Sequence, residues 1–181
     1  MSRTPSMLQD HLSELIRGQE LPLPALDHLH VEVILELLQN AYTGIKADYH
    51  AAVSSGEEKH LNSLMVDRLN HLVGENSLAS LLVRSVSRGT ETKNYDATRF
   101  KMRPDIQISL TSRQHLFPLI VECKLIHIAK GKTVDLYCRD GLARFTTGDY
   151  AWTNQEALML AYVRDGVSTT SHLSPFLFFF F

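Results

Sequence analysis

One eight-residue run, Leu119-Ile120-Val121-Glu122-Cys123-Lys124-Leu125-Ile126, constrains this chain more than any other. Without its two charged members it reads as a strand covered on both faces, not as the in-out alternation of a half-exposed one. Residues two apart on a strand point to the same side, so Glu122 and Lys124 project together while Val121, Cys123 and Leu125 face the other way. Burying two such charges costs several kcal/mol unless they are compensated, so the chain is either pairing them or using them. The bland alternative is a mutual or cross-strand salt bridge on an exposed face. Ile120-Val121 before and Leu125-Ile126 after argue for a central strand instead. A second carboxylate, Asp105, opens the preceding apolar run with 16 residues between it and Glu122, and a hairpin of the two strands brings it to the same spot.

Two carboxylates and a main-chain carbonyl, that of Cys123, make a hard-oxygen set suited to Mg2+ or Mn2+. A lysine beside such an ion activates or orients an attacking water, while the metal polarises a phosphoryl oxygen. Asp105, Glu122 and Lys124 therefore have the chemistry of phosphodiester hydrolysis.

Around this centre the first third of the chain reads as helical. Leu8, Leu12, Leu15 and Ile16 form one stripe, and Val31, Val33, Ile34, Leu37, Leu38 and Tyr42 a second, with Leu21-Pro22-Leu23-Pro24 between them. Ser54-Ser55-Gly56 and Glu57-Glu58 signal the start of a third helix, with Leu61, Leu64, Met65, Leu69 and Leu72 as its stripe. Strands are expected over Leu81–Val86, Asp105–Leu110, Leu116–Ile126 and Ala157–Val163, and a helix over Lys132–Thr147. That order predicts an α/β or α+β fold with a central mixed sheet flanked by helices, residues 1–54 forming a helical N-terminal extension and 55–181 the core. The extension is open to three roles: a packing layer, a dimerisation element or a partner-binding arm. The closing run Pro175-Phe176-Leu177-Phe178-Phe179-Phe180-Phe181 is either a buried final strand or the mark of a truncated or frame-shifted chain, and truncation is the expectation.

Composition excludes several classes. At 181 residues and 44% hydrophobic, the chain has the means for a sizeable core and is not disordered. No apolar run nears the roughly 18 residues of a membrane helix, and no signal-peptide core follows the N-terminus, so a cytoplasmic protein with no membrane partner is expected. Cys123 and Cys138 form no CxxC pair and are expected to be buried thiols. Net charge is −2, but residues 1–75 hold 5 Lys/Arg against 11 Asp/Glu, while 76–181 hold 13 against 9. The densest basic stretch is Arg84, Arg88, Lys93, Arg99, Lys101 and Arg103, with Arg103 the nearest to Asp105; it reads equally as a local match for a phosphate backbone or as a solvated charged face.

Pro104-Asp105, 16 residues, then Glu122-x-Lys124 inside an apolar strand resembles the PD-(D/E)XK nuclease superfamily, over roughly residues 55–166. The resemblance implies a restriction-endonuclease-like core, a Mg2+-dependent DNA endonuclease of restriction or phage-defence type, and Mn2+ as a substitute ion. RNA stays open as substrate, and a homodimer is implied by analogy. It also implies a further metal-binding glutamate from the preceding helix. Glu58, in Glu58-Lys59-His60-Leu61-Asn62, looks like that element, with Glu57 in reserve. Metal binding then falls to Glu58, Asp105, Glu122 and the Cys123 carbonyl. Tyr137 and Arg144, seven positions apart on the next helix, are expected to line the groove, Arg144 on a phosphate. The stretch Tyr137–Phe145 followed by Gly148-Asp149-Tyr150-Ala151 is similar to restriction-type members.

Other signals carry less. Gly131-Lys132-Thr133 ends like a phosphate-binding loop, but Ile126 stands where its first glycine is required. His28, His30 and Glu32 read as charged surface, and no local text supports Cys138 and His127 as nucleophile and base. The alternative function is a catalytically inactive nucleic-acid-binding domain on the same fold. A weaker third reading is an unrelated interaction module with a plain Glu122–Lys124 salt bridge.

Overall fold

The computed structural model describes residues 21–90, 103–114, 117–146, 151 and 153–164, and the backbone of 176–180. The expected first helix around Leu8–Ile16, the basic residues Lys93, Arg99 and Lys101, and Gly148-Asp149-Tyr150 lie outside the described residues. Four helices come first: α1 (His28–Asp48), α2 (His50–Ser55), α3 (Glu58–Glu75) and α4 (Ser77–Leu82). Strands β1 (Val83–Arg88), β2 (Ile106–Leu110) and β3 (Leu119–Ile126) follow. A helical segment, residues 134–146, then leads to β4 (Glu156–Val163) and β5 (Phe176–Phe180). The sheet order is β1-β2-β3-β4-β5, with β3 and β4 parallel and the other neighbours antiparallel. The protein is thus α+β, with a mixed sheet flanked by helices. Among the described residues no helix is long and apolar enough to cross a membrane.

The period-two alternation of the central strands sorts their side chains into two cores. Leu119, Val121, Cys123 and Leu125 of β3, with Leu158, Leu160 and Tyr162 of β4, pack under α1 and α3. Ile120 and Ile126, with Ala157, Met159 and Ala161, pack under Tyr137 and Phe145 of the 134–146 segment. Of the roles open to the N-terminal extension, α1 supplies a packing layer: Ile34, Leu37, Leu38, Ala41 and Ile45 are buried in the first core.

Several boundaries differ from the sequence expectation for local physical reasons. Leu81 and Leu82 belong to α4, not β1, because the Asn76 side chain accepts from the amides of Leu78 and Ala79 and starts a helical turn there. Ser54 and Ser55 end α2 instead of capping α3, whose cap position is Glu57, without a side-chain cap bond. Phe176–Phe180, of the closing run, forms β5 antiparallel to β4. The edge strand β1 is docked by Asn70 of α3, which donates to the Val86 carbonyl at 2.7 Å and accepts from the Val86 amide at 2.9 Å.

Candidate active site

The site grows from an unfinished strand edge. β2 pairs with β3 only through Ile106↔Val121, Gln107↔Ile120 and Ile108↔Leu119. β3 continues to Ile126 paired with β4 alone, so main-chain groups on its other edge need partners from elsewhere. Carboxylates supply them. Asp105 Oδ2, just before β2, accepts the Cys123 amide at 2.9 Å, and Glu58 Oε2, in the first turn of α3, accepts the Leu125 amide at 2.6 Å. Glu57 sits one residue earlier, exposed.

Glu122 and Lys124 do project together, toward the 134–146 segment. Lys124 Nζ donates to Glu122 Oε1 at 2.5 Å and to the Cys123 carbonyl at 3.0 Å, and stands 3.8 Å from Asp105 Oδ2. Arg144 places a guanidinium nitrogen 2.9 Å from the same Glu122 oxygen. The Glu122 side chain is 0% exposed, and both cations meet it on the same oxygen. Burial works against the Lys124 charge, but the charge and hydrogen bond of Glu122, then Asp105 and Glu58, outweigh it and leave the Lys124 pKa raised. Lys124 is therefore an ammonium at neutral pH, donating to Glu122 and the Cys123 carbonyl. Burial, with Asp105 second, also holds the Cys123 thiol protonated and inert.

Two residues that sequence reading did not assign to the site belong to it. Asn62 Nδ2 donates to Asp105 Oδ1 at 2.9 Å, and an Arg88 nitrogen lies 3.9 Å from that oxygen while Arg88 also donates to the Lys59 carbonyl at 2.9 Å. The signal for Asn62 was present: it is a polar residue within the buried stripe Leu61, Met65, Val66, Leu69 and Val73.

Other expectations are corrected. Tyr137 does not line a groove; it is 2% exposed, inside the second core. The π-helical turn Tyr137–Leu142 has more residues per turn than an α-helix, so the alignment of positions seven apart that a regular helix would give Tyr137 and Arg144 does not hold. Cys138 is exposed, not buried. Arg103 is exposed beside the site, with Nε donating to the Gly89 carbonyl at 2.6 Å. Gly141 of the π turn lies against the site: a Cβ there would stand 2.5 Å from Met159 Cε and 3.6 Å from Lys124 Cγ.

The donor set suits a hard divalent ion in one respect. Two carboxylates and a main-chain carbonyl converge on one cation, which in this structure is the Lys124 ammonium. Glu58 does not close a three-carboxylate cage around it; among the described residues no three His, Cys, Asp or Glu side chains form a metal-ligand group. Chemically the arrangement can hold a cation between Asp105 and Glu122 and present two further cationic groups, Lys124 and Arg144, to an anion. No protein-family model, no curated protein and no solved structure matches this chain.

Proposed function

We propose that this chain is a metal-dependent endonuclease that hydrolyses phosphodiester bonds in DNA, on a core resembling that of PD-(D/E)XK nucleases. The observation that carries the proposal is the convergence of Asp105, Glu122 and the Cys123 carbonyl on one cationic centre at an otherwise unpaired strand edge. Asp105, Glu122 and the Cys123 carbonyl would hold Mg2+ or Mn2+, with Glu58 beside them along the same edge. Bound there, the ion would polarise the phosphoryl oxygen and offset the negative charge that grows as water adds to phosphorus. Lys124, displaced from Glu122, orients the attacking water through its N–H groups, and Arg144 binds a non-bridging phosphate oxygen.

A catalytically silent nucleic-acid-binding domain is the second reading. It is favoured by the hydrogen bonds that already engage Glu58, Asp105 and Glu122 within the chain. Cleavage of supercoiled plasmid, single-stranded DNA and RNA with Mg2+, Mn2+ or EDTA separates the two. The nuclease reading predicts metal-dependent cutting of DNA that falls by about 100-fold or more in Lys124→Ala, the scale of losing one transition-state donor. A folded protein that cuts nothing with either metal, or a Lys124→Ala variant that cuts at the parental rate, would overturn it.

A further inference from the structure

We infer that Asn62 is a positioning residue that fixes the orientation of the Asp105 carboxylate, and thereby the affinity of the site for its divalent cation; the second half rests on the function proposed above. Asn62 lies on the buried face of α3 and is 1% exposed. A carboxylate only accepts hydrogen bonds, so the amide end of Asn62 must face it, as the 2.9 Å contact from Nδ2 to Asp105 Oδ1 shows. That orientation leaves the Asn62 Oδ1 atom buried with no hydrogen-bond partner among the described residues. An apolar side chain of similar volume would remove this unsatisfied oxygen at once, so what the amide gains is at Asp105 and not in the packing of the helix.

The geometry of the carboxylate explains the gain. The Cys123 amide holds Oδ2 at 2.9 Å, and Asn62 holds Oδ1 at the same distance. One bond to each oxygen fixes both the position and the rotation of the group, so that Oδ2 keeps its remaining acceptor capacity toward the centre now taken by Lys124, 3.8 Å away. Arg88 is the other group facing Oδ1, but at 3.9 Å it is an ion-pair neighbour without a hydrogen bond. Asn62 is two bonds of contact away from the cation and acts through Asp105 alone.

Two measurements on the full chain test this. In the metal-free protein, Asn62→Leu and Asp105→Ala made together should lower the thermal unfolding midpoint by less than the sum of the two single changes. Additive shifts would overturn the inference, whatever the protein's activity. In Mn2+ titrations followed by electron paramagnetic resonance, Asn62→Leu should weaken binding by about tenfold. A merely structural Asn62 would lower the unfolding midpoint and leave the Mn2+ affinity of the folded fraction unchanged, and that result would also overturn it. If the leucine variant does not fold, Asn62→Ser, which keeps a donor, takes its place with an expected loss of about threefold; an unchanged affinity there counts against the inference equally. Failure of the parental protein to bind Mn2+ defeats the proposed function, while the unfolding cycle still decides whether Asn62 orients Asp105.

Discussion

Glu122 is the residue on which the site's energetics turn, because its side chain is wholly buried and two cations meet one of its oxygens. Lys124 is 20% exposed and Arg144 37%, so solvent screens Arg144 most, and its bond contributes the lesser share. Lys124→Met should cost about 1.5–3 kcal/mol, the range for a hydrogen bond to a charged group. Lys124→Met with Arg144→Met should cost more than either single change, because it removes both of these cations from a wholly buried carboxylate. Urea unfolding at neutral pH checks both. The pH dependence has a definite sign. The folded pKa of Lys124 is raised, so its contribution is complete below the unfolded value near ~10.4 and fades as pH rises through the folded value. Lys124→Met should flatten that alkaline loss. At this scale the sequence showed that Glu122 and Lys124 share a strand face, since a period of two requires it. It did not show Arg144 on Glu122 or Asn62 on Asp105, because both contacts join segments that only the folded layers bring together.

At the scale of elements, the position of Asp105 depends on how β1 ends. The Gly89 amide donates to the Asp105 carbonyl at 3.2 Å, and a Cβ on Gly89 would fall 1.8 Å from the Pro104 carbonyl oxygen and 2.6 Å from its carbon. These are main-chain atoms with no rotamer to yield, so Gly89→Ala must push the Pro104-Asp105 segment away from β1. The expected result is a loss of at least about 1–3 kcal/mol, the range for overpacking, together with weaker Mn2+ binding; thermal unfolding and a metal titration read the two effects. Gly141→Ala should be milder, since it meets the flexible end of Met159. Strands β1 to β4 were legible from their apolar runs to within two or three residues, and the offset at the start of β1 arises because the Asn76 cap draws Leu81 and Leu82 into a helix. The π turn at Tyr137–Leu142 was invisible to a count that assumes 3.6 residues per turn, so the seven-residue alignment of Tyr137 with Arg144 was misread.

For the whole molecule, the site lies where three layers meet: Glu58 and Asn62 come from α3, Asp105, Glu122 and Lys124 from the sheet region, and Arg144 from the 134–146 segment. A second buried ion pair holds the assembly at the opposite end of the parallel strands. Arg113 contacts Glu156 at 2.6 Å and donates to the Asn154 side chain and the Pro24 carbonyl, clipping the segment before α1 to the start of β4. Chain order and apolar patterning were enough to anticipate a mixed sheet between helices. The clip was not anticipated, since Pro24, Arg113 and Glu156 are far apart in sequence. The central claim is that the oxygens now gathered around the Lys124 ammonium form a divalent-cation site, and an electron paramagnetic resonance titration of Mn2+ into the parental protein and into Asp105→Asn tests it most directly. The account predicts a saturable bound signal that is lost or weakened at least about tenfold in Asp105→Asn; no bound Mn2+, or equal binding by the two proteins, would contradict it.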